Sequence, residues 1–203
     1  MPESFTGGFV QTNGYLIETP EGGHVLVDAP SGVAEWLARK EIRPVALLLT
    51  HQHFDHVEDA AEIAALGIPI IAREPYSENA NLAALARSWG LPVQIRPFEV
   101  TQVLGDSAEF DIGGLHFGIL HVPGHSPDSI AFHLAGNQEV YGGDTLMADN
   151  IGRSDLPGGD EAELQKSIRG KLFALPAETR VFPGHGPATT IGAERAGNPC
   201  VRS

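Results

Sequence analysis

The sequence predicts a layered α/β domain, and three observations carry that expectation. Apolar residues alternate between strand-like runs and helical periods along the chain. A length of 203 residues lies within what one α/β domain fills, so a single domain over 1–203 is expected. A content of 42% hydrophobic and 19% charged residues is ordinary for a globular protein.

Asn13 to Glu18 and His24 to Asp28 read as a hairpin through the turn-rich Pro20-Glu21-Gly22-Gly23. Ser31 is placed to cap a short helix in which Val33, Trp36 and Leu37 share one face. Val45 to Leu49 is a continuous apolar run and reads as a buried strand. Val57 to Leu66 reads as a helix ended by Gly67, and Ile68 to Ala72 as the next strand. A further helix is expected over Ser77 to Trp89, with Leu82, Leu85, Ala86 and Trp89 inward and Gly90 closing it. Beyond Val100 come short strands at Leu115 to Val122, Ser129 to Leu134, Glu139 to Tyr141 and Arg180 to Phe182. Between the last two, Asp160 opens a helix with Glu163 as its capping-box partner and Leu164, Ile168, Leu172 and Leu175 as its apolar stripe.

Composition narrows the function. The formal charge is −13 and there is no Lys/Arg cluster, so neither nucleic acid nor an anionic membrane is expected as a partner. No run approaches the roughly 18 apolar residues of a membrane span. Met1 to Val10 has neither a basic region nor an apolar run, so no secretory signal is expected. The single cysteine, Cys200, fits a reducing cytoplasm. The composition gives no signal for oligomeric state.

The nine histidines are unevenly placed. Thr50-His51-Gln52-His53-Phe54-Asp55-His56 follows a buried strand and leads into a helix, so it sits where open α/β sheets place their sites. In an extended stretch His51 and His53 point the same way and can reach one metal together. The turn into the helix redirects Asp55 and His56 toward a second position. Imidazole and carboxylate suit Zn, Fe or Mn. His125 and His185 each follow Pro-Gly at a strand end, and Asp144 follows Gly142-Gly143, where one carboxylate can bridge two cations. His24, His116, His121 and His133 lack such settings and read as structural.

These segments, with Pro123-Gly124-His125-Ser126, Gly142-Gly143-Asp144-Thr145 and Pro183-Gly184-His185-Gly186 in that order, resemble the metallo-β-lactamase superfamily. Ile151 to Pro157 and Pro183 to Glu194 resemble, more narrowly, its short glyoxalase II-like hydroxyacylglutathione hydrolases. The resemblance implies a four-layer αββα sandwich of two mixed sheets with outer helices. It implies that His51, His53 and His125 hold one metal, that Asp55, His56 and His185 hold a second, and that Asp144 bridges. It also implies that Asp28 orients a metal-bound imidazole, although an Asp-Ala-Pro turn equally accounts for that residue. Where glyoxalase II enzymes carry a substrate-binding Lys-Phe-Tyr stretch, this chain has Arg153-Ser154-Asp155. They also carry a further C-terminal helical region that helps grip glutathione.

The expected function is therefore metal-dependent hydrolysis of a small-molecule thioester, with two divalent ions, zinc foremost and iron or manganese as alternatives. A hydroxide bridging the ions would be the nucleophile, aimed by Asp55 as the catalytic residue. Arg153 is expected to bind the substrate, with a salt bridge to Asp155 as its other reading. The first alternative function is a mononuclear-iron oxidoreductase like the persulfide dioxygenases. The second is a non-catalytic metal-binding domain.

Overall fold

The structure, a computed structural model, describes residues 1–201. Contacts divide the chain into two units, Met1–Gly105 with Asp111–Leu115, and Asp106–Phe110 with His116–Ser203.

The first unit begins with strands β1 (Glu3–Gly7), β2 (Thr12–Glu18) and β3 (His24–Val27), then helix α1 (Val33–Arg39) and β4 (Ala46–Leu48). Helices α2 (Phe54–Val57) and α3 (Ala60–Ala65) lead to β5 (Ile70–Ala72), α4 (Ala83–Ser88) and β6 (Gln102–Val103). Its sheet runs β1-β2-β3-β4-β5-β6, antiparallel as far as β3 and parallel beyond it. The expected hairpin is present, with Tyr15 opposite Val27 and Glu18 opposite His24. The parallel strands β4 and β5 are buried at every residue, which explains their continuous apolar runs. Leu26, Leu47 and Ile70 pack there with Val33, Leu37 and Ile63 from the helices.

Four details differ from what the sequence predicts, the first being that Val45, expected in a buried strand, lies just before β4 and is 40% exposed. Ser31 does not cap α1; Asp59 Oδ2 accepts from the backbone N–H of both Gly32 and Ala34, each at 2.9 Å. The helix expected from Val57 begins earlier, at Phe54, and breaks into α2 and α3. The helix expected over Ser77 to Trp89 is only Ala83–Ser88, because Leu82 is left-handed at φ 54° and Asn81 Oδ1 takes the Ala83 N–H at 2.9 Å. Trp89 consequently lies outside the helix, 51% exposed rather than inward.

The second unit carries β7 (Glu109–Ile112, its last two residues counted with the first unit), β8 (Leu115–His121), β9 (Ile130–Leu134) and β10 (Glu139–Gly143). There follow a two-strand ribbon of β11 (Leu146–Met147) and β12 (Asn150–Ile151), helix α5 (Glu161–Ser167), β13 (Arg180–Pro183), β14 (Thr189–Thr190) and α6 (Ile191–Gly197). The sheet order is β14-β13-β10-β9-β8-β7, with β10 parallel to β13 and antiparallel to β9. Asp160 caps α5 as expected, accepting the Glu163 N–H at 3.0 Å. Leu164, Ile168 and Leu172 pack on Val122, Val140 and Val181. Helix α6, strands β1 and β7, and the two-residue strands β6, β11, β12 and β14 were not expected from the sequence.

Candidate metal centre

In the first unit, strand direction brings the candidate residues to one edge. Asp28 follows β3 and His51 to His56 follow β4, and these strands are parallel neighbours. Backbone bonds lock the two strand ends together: Asp28 N–H donates to Leu48 O at 2.9 Å, and Ala29 N–H to His56 O at 2.8 Å. Thr12, at the start of antiparallel β2, arrives at the same edge.

Asp28 holds a left-handed backbone at φ 59° and is buried. Its Oδ1 accepts the Thr50 N–H and its Oδ2 the Thr50 hydroxyl, both at 2.8 Å. Oδ2 also lies 2.8 Å from His56 Nδ1, which must therefore carry the proton and turn the Nε2 lone pair away. Because the Thr50 hydroxyl spends its hydrogen on Asp28, its oxygen can only accept from His51 Nδ1, 3.1 Å away. One carboxylate thus sets the tautomer of two imidazoles, one directly and one through Thr50.

The rings of His51 and His53 meet edge-on with centroids 4.6 Å apart, and those of His51 and His56 lie 4.1 Å apart. Asp55, on the first turn of α2, accepts the Thr12 hydroxyl on Oδ2 at 2.6 Å, and that same oxygen lies 3.4 Å from His56 Nε2. His51, His53, Asp55 and His56 are all buried.

In the second unit, His125, Asp144 and His185 each follow the carboxyl end of a strand, β8, β10 and β13 respectively. These three strands run in one direction, since β9 is antiparallel to both β8 and β10. Asp144 Oδ2 stands 3.2 Å from His185 Nε2 and 3.6 Å from His125 Nε2. His125 Nδ1 donates to Arg153 O at 2.7 Å. Two glycines make this approach possible. A Cβ on Gly152 would fall 1.7 Å from Asp144 O, and one on Gly124, at φ 127°, would fall 2.2 Å from Leu164 N.

Both clusters fit divalent cations. His56 and His125 have their Nδ1 proton committed to an oxygen, so each turns an Nε2 lone pair toward a carboxylate oxygen. Two acceptors facing one another in a buried setting repel until a cation stands with them. The donors are imidazole and carboxylate throughout, the set that suits first-row divalent metals.

Other candidates are placed differently. The Arg153 side chain is exposed and pairs bidentately with Asp155, Nε to Oδ1 and Nη2 to Oδ2, both at 2.8 Å. Arg153 and Asp155 hold each other charged, pushing the carboxyl down to about 2. His116 lies 3.6 Å from Glu109, and His121 Nε2 meets Pro127 O at 2.9 Å. Burial lowers the pKa of His133. The sequence reading gave no role to Thr12 or Thr50. Thr50 adjoins the motif and could have been suspected, whereas Thr12 stands 43 residues from Asp55 with nothing local to mark it.

The family model described as "Metallo-beta-lactamase superfamily" matches residues 7–185. The crystal structure of BLEG-1, a B3 metallo-β-lactamase, is similar at TM-score 0.88 and 33% identity, covering 100% of both chains. That of TTHA1623, in a di-iron-bound form, is similar at TM-score 0.82 and 38% identity, covering 97% of this chain and 98% of the other. The hydroxyacylglutathione hydrolase GloC of Haemophilus influenzae is 35% identical over 95% of this chain and 94% of its own length. Two mixed sheets with flanking helices are the fold these likenesses share, and the chain belongs to the metallo-β-lactamase superfamily.

Proposed function

We propose that the chain is a metal-dependent thioester hydrolase of the glyoxalase II-like kind. The observation that carries the reading is the complete donor set, five imidazoles and two carboxylates at strand ends, with the two best-defined tautomers already fixed for metal binding. Similarity to a hydroxyacylglutathione hydrolase across 95% of the chain supports the substrate class.

In this proposal His51, His53 and His125 hold one divalent ion, Asp55, His56 and His185 hold another, and Asp144 serves both. Zinc is the first choice, with iron or manganese as alternatives. Such ions, when bound, supply Lewis acidity that lowers the pKa of water and polarises the thioester carbonyl. The protein groups do the rest. Thr12 fixes Asp55 through Oδ2, so that the carboxylate can accept a hydrogen bond from the attacking water in one orientation. Asp28 and Thr50 hold His56 and His51 in the tautomers that present Nε2. Arg153 is assigned to the acyl carboxylate of acidic substrates, in competition with Asp155. The partner is a small-molecule thioester, with neither nucleic acid nor membrane, as the −13 charge favours. Cytoplasmic placement rests on the single cysteine. No helix among the described residues is long and apolar enough to cross a membrane.

The test is a thioester panel assayed beside metal analysis, with a β-lactam included because BLEG-1 is a B3 metallo-β-lactamase. Thioester turnover that tracks bound metal supports the reading. One iron per chain with oxygen uptake and no hydrolysis would instead indicate the iron oxidoreductase.

A further inference from the structure

Asp144 and Arg153 are the two feet of a small ribbon. The chain leaves Asp144, runs out along β11, turns at Ala148-Asp149, returns along β12 and reaches Gly152 and Arg153. Leu146 pairs with Ile151 and Met147 with Asn150, and among the described residues no third strand joins this sheet. A two-stranded ribbon is marginal by itself. Its tip is also strained, since Asp149 is non-glycine at φ 54°. Yet one foot offers the Asp144 carboxylate and the other offers the carbonyl that holds His125 Nδ1 at 2.7 Å. Leu146 seats the base of the ribbon in the core beside Val122 and Val181, with Ile151 packed against it, so it is the tip that needs holding.

Helix α6 does so at the tip. Glu194, a buried carboxyl, accepts the Asp149 N–H at 3.0 Å and the Asn198 amide at 2.7 Å on Oε2, and the Thr189 hydroxyl at 2.6 Å on Oε1. Asn198 Nδ2 also approaches Asn150 O at 3.0 Å and Met147 O at 3.4 Å, one on each ribbon strand. A buried carboxylate is costly unless its lone pairs are filled, and three donors fill these. Displacing the tip would strip a buried side chain of its hydrogen-bond partners, so the arrangement favours this ribbon position.

We propose that Glu194 is a positioning residue for the metal centre: through Asp149 and the β11–β12 ribbon it fixes Arg153 O against His125 and sets the place of Asp144. The consequence for metal rests on the hydrolase reading above, but the geometry of His125 does not. Acceptor placement rather than charge is what the latch requires. Glutamine, with its oxygen toward Asp149 and Asn198 and its amide donating to the Thr189 oxygen, should therefore substitute.

The experiment compares wild type, Glu194→Gln and Glu194→Ala in two assays. The first follows the His125 Nδ1–H resonance by NMR in metal-free protein, assigned by its loss in His125→Gln. The second measures zinc dissociation constants by competition with a chromophoric chelator. Wild type and Glu194→Gln should show a protected Nδ1–H, which Glu194→Ala loses to rapid exchange. Zinc should be held roughly 10- to 100-fold more weakly by Glu194→Ala, and within about threefold of wild type by Glu194→Gln. A protected Nδ1–H and unchanged zinc binding in Glu194→Ala would overturn the proposal, as would equal loss in Gln and Ala. If Glu194→Ala fails to fold, Asn198→Ala, which removes the amide bridging both strands, should show the same exchange, and an unchanged resonance there counts against the latch. A wild type with the protected resonance but no zinc affinity would sink the hydrolase reading and leave the latch standing.

Discussion

At the scale of single residues, the assigned roles separate by what they should change. Asp55→Ala is expected to lower turnover by several orders of magnitude while shifting the melting temperature little. The charge removed is one that a cation cluster needs and the fold does not. Hydrolysis rates beside a thermal melt check this; an active variant that keeps its metals would remove the role of Asp55. Thr50→Val keeps the shape but deletes both the donor to Asp28 and the acceptor for His51. It should cost roughly 10- to 100-fold in kcat/KM or metal affinity, and about 1–3 kcal/mol of stability for the buried groups left unmatched. Arg153→Ala should raise KM for acidic thioesters by about tenfold, the low end for a charge-assisted contact, because Asp155 already competes for the guanidinium. Equal loss on neutral substrates would mean that the side chain only supports its loop. The candidate donor residues stood out in the sequence because ligand chemistry restricts their identity and Pro-Gly or Gly-Gly marks their turns. The Thr12 and Arg153 carbonyl contacts were not legible. Each joins residues dozens of positions apart, and a backbone carbonyl carries no signature in any side chain.

At the scale of elements, Asp59 illustrates how tertiary structure displaces local rules. Ser31 stood in the right place to cap α1, but a carboxylate from the α2–α3 junction satisfies both N–H groups instead. Burial, opposed by these backbone bonds, raises the Asp59 pKa above its ordinary 3.8. The folded state therefore holds this proton at a pH where the unfolded chain has released it. Stability from this group declines as pH rises from about 3.8 through the raised folded value. Asp59→Asn can keep both caps on its single oxygen without ionising. Its stability relative to wild type should accordingly grow over that window and level off above it. Asp59→Ala, lacking a cap, should lose about 1 kcal/mol or more at neutral pH. Denaturant midpoints across pH measure both; a pH-independent difference for Asp59→Asn would contradict the burial argument. The buried strand β4 was legible as a continuous apolar run, and α5 by its cap and apolar stripe, because burial dictates both patterns. The strands of two residues were not, since two residues have no period. The Ser77 to Trp89 helix was overextended because its pattern continues through Leu82, where the backbone is left-handed.

At the scale of the whole chain, metal binding in the proposed sites should be linked to folding, because only the folded chain assembles the donors. Chelation should lower the melting temperature. A site filled at about 100 times its dissociation constant contributes about 2.7 kcal/mol, and two such sites about twice that. The superfamily was legible from four short motifs in order, because the donors and the glycines that admit them are tied to the chemistry. Metal identity and substrate were not, since the same donors hold iron or zinc and the acyl group meets few of them. The most direct test of the central claim is a titration of metal-free protein with zinc, following thioester hydrolysis at each addition. The two-metal hydrolase account predicts that activity climbs to a plateau at about two equivalents and that Asp55→Ala stays inactive at the same occupancy. Two bound equivalents without hydrolysis of any thioester would contradict it.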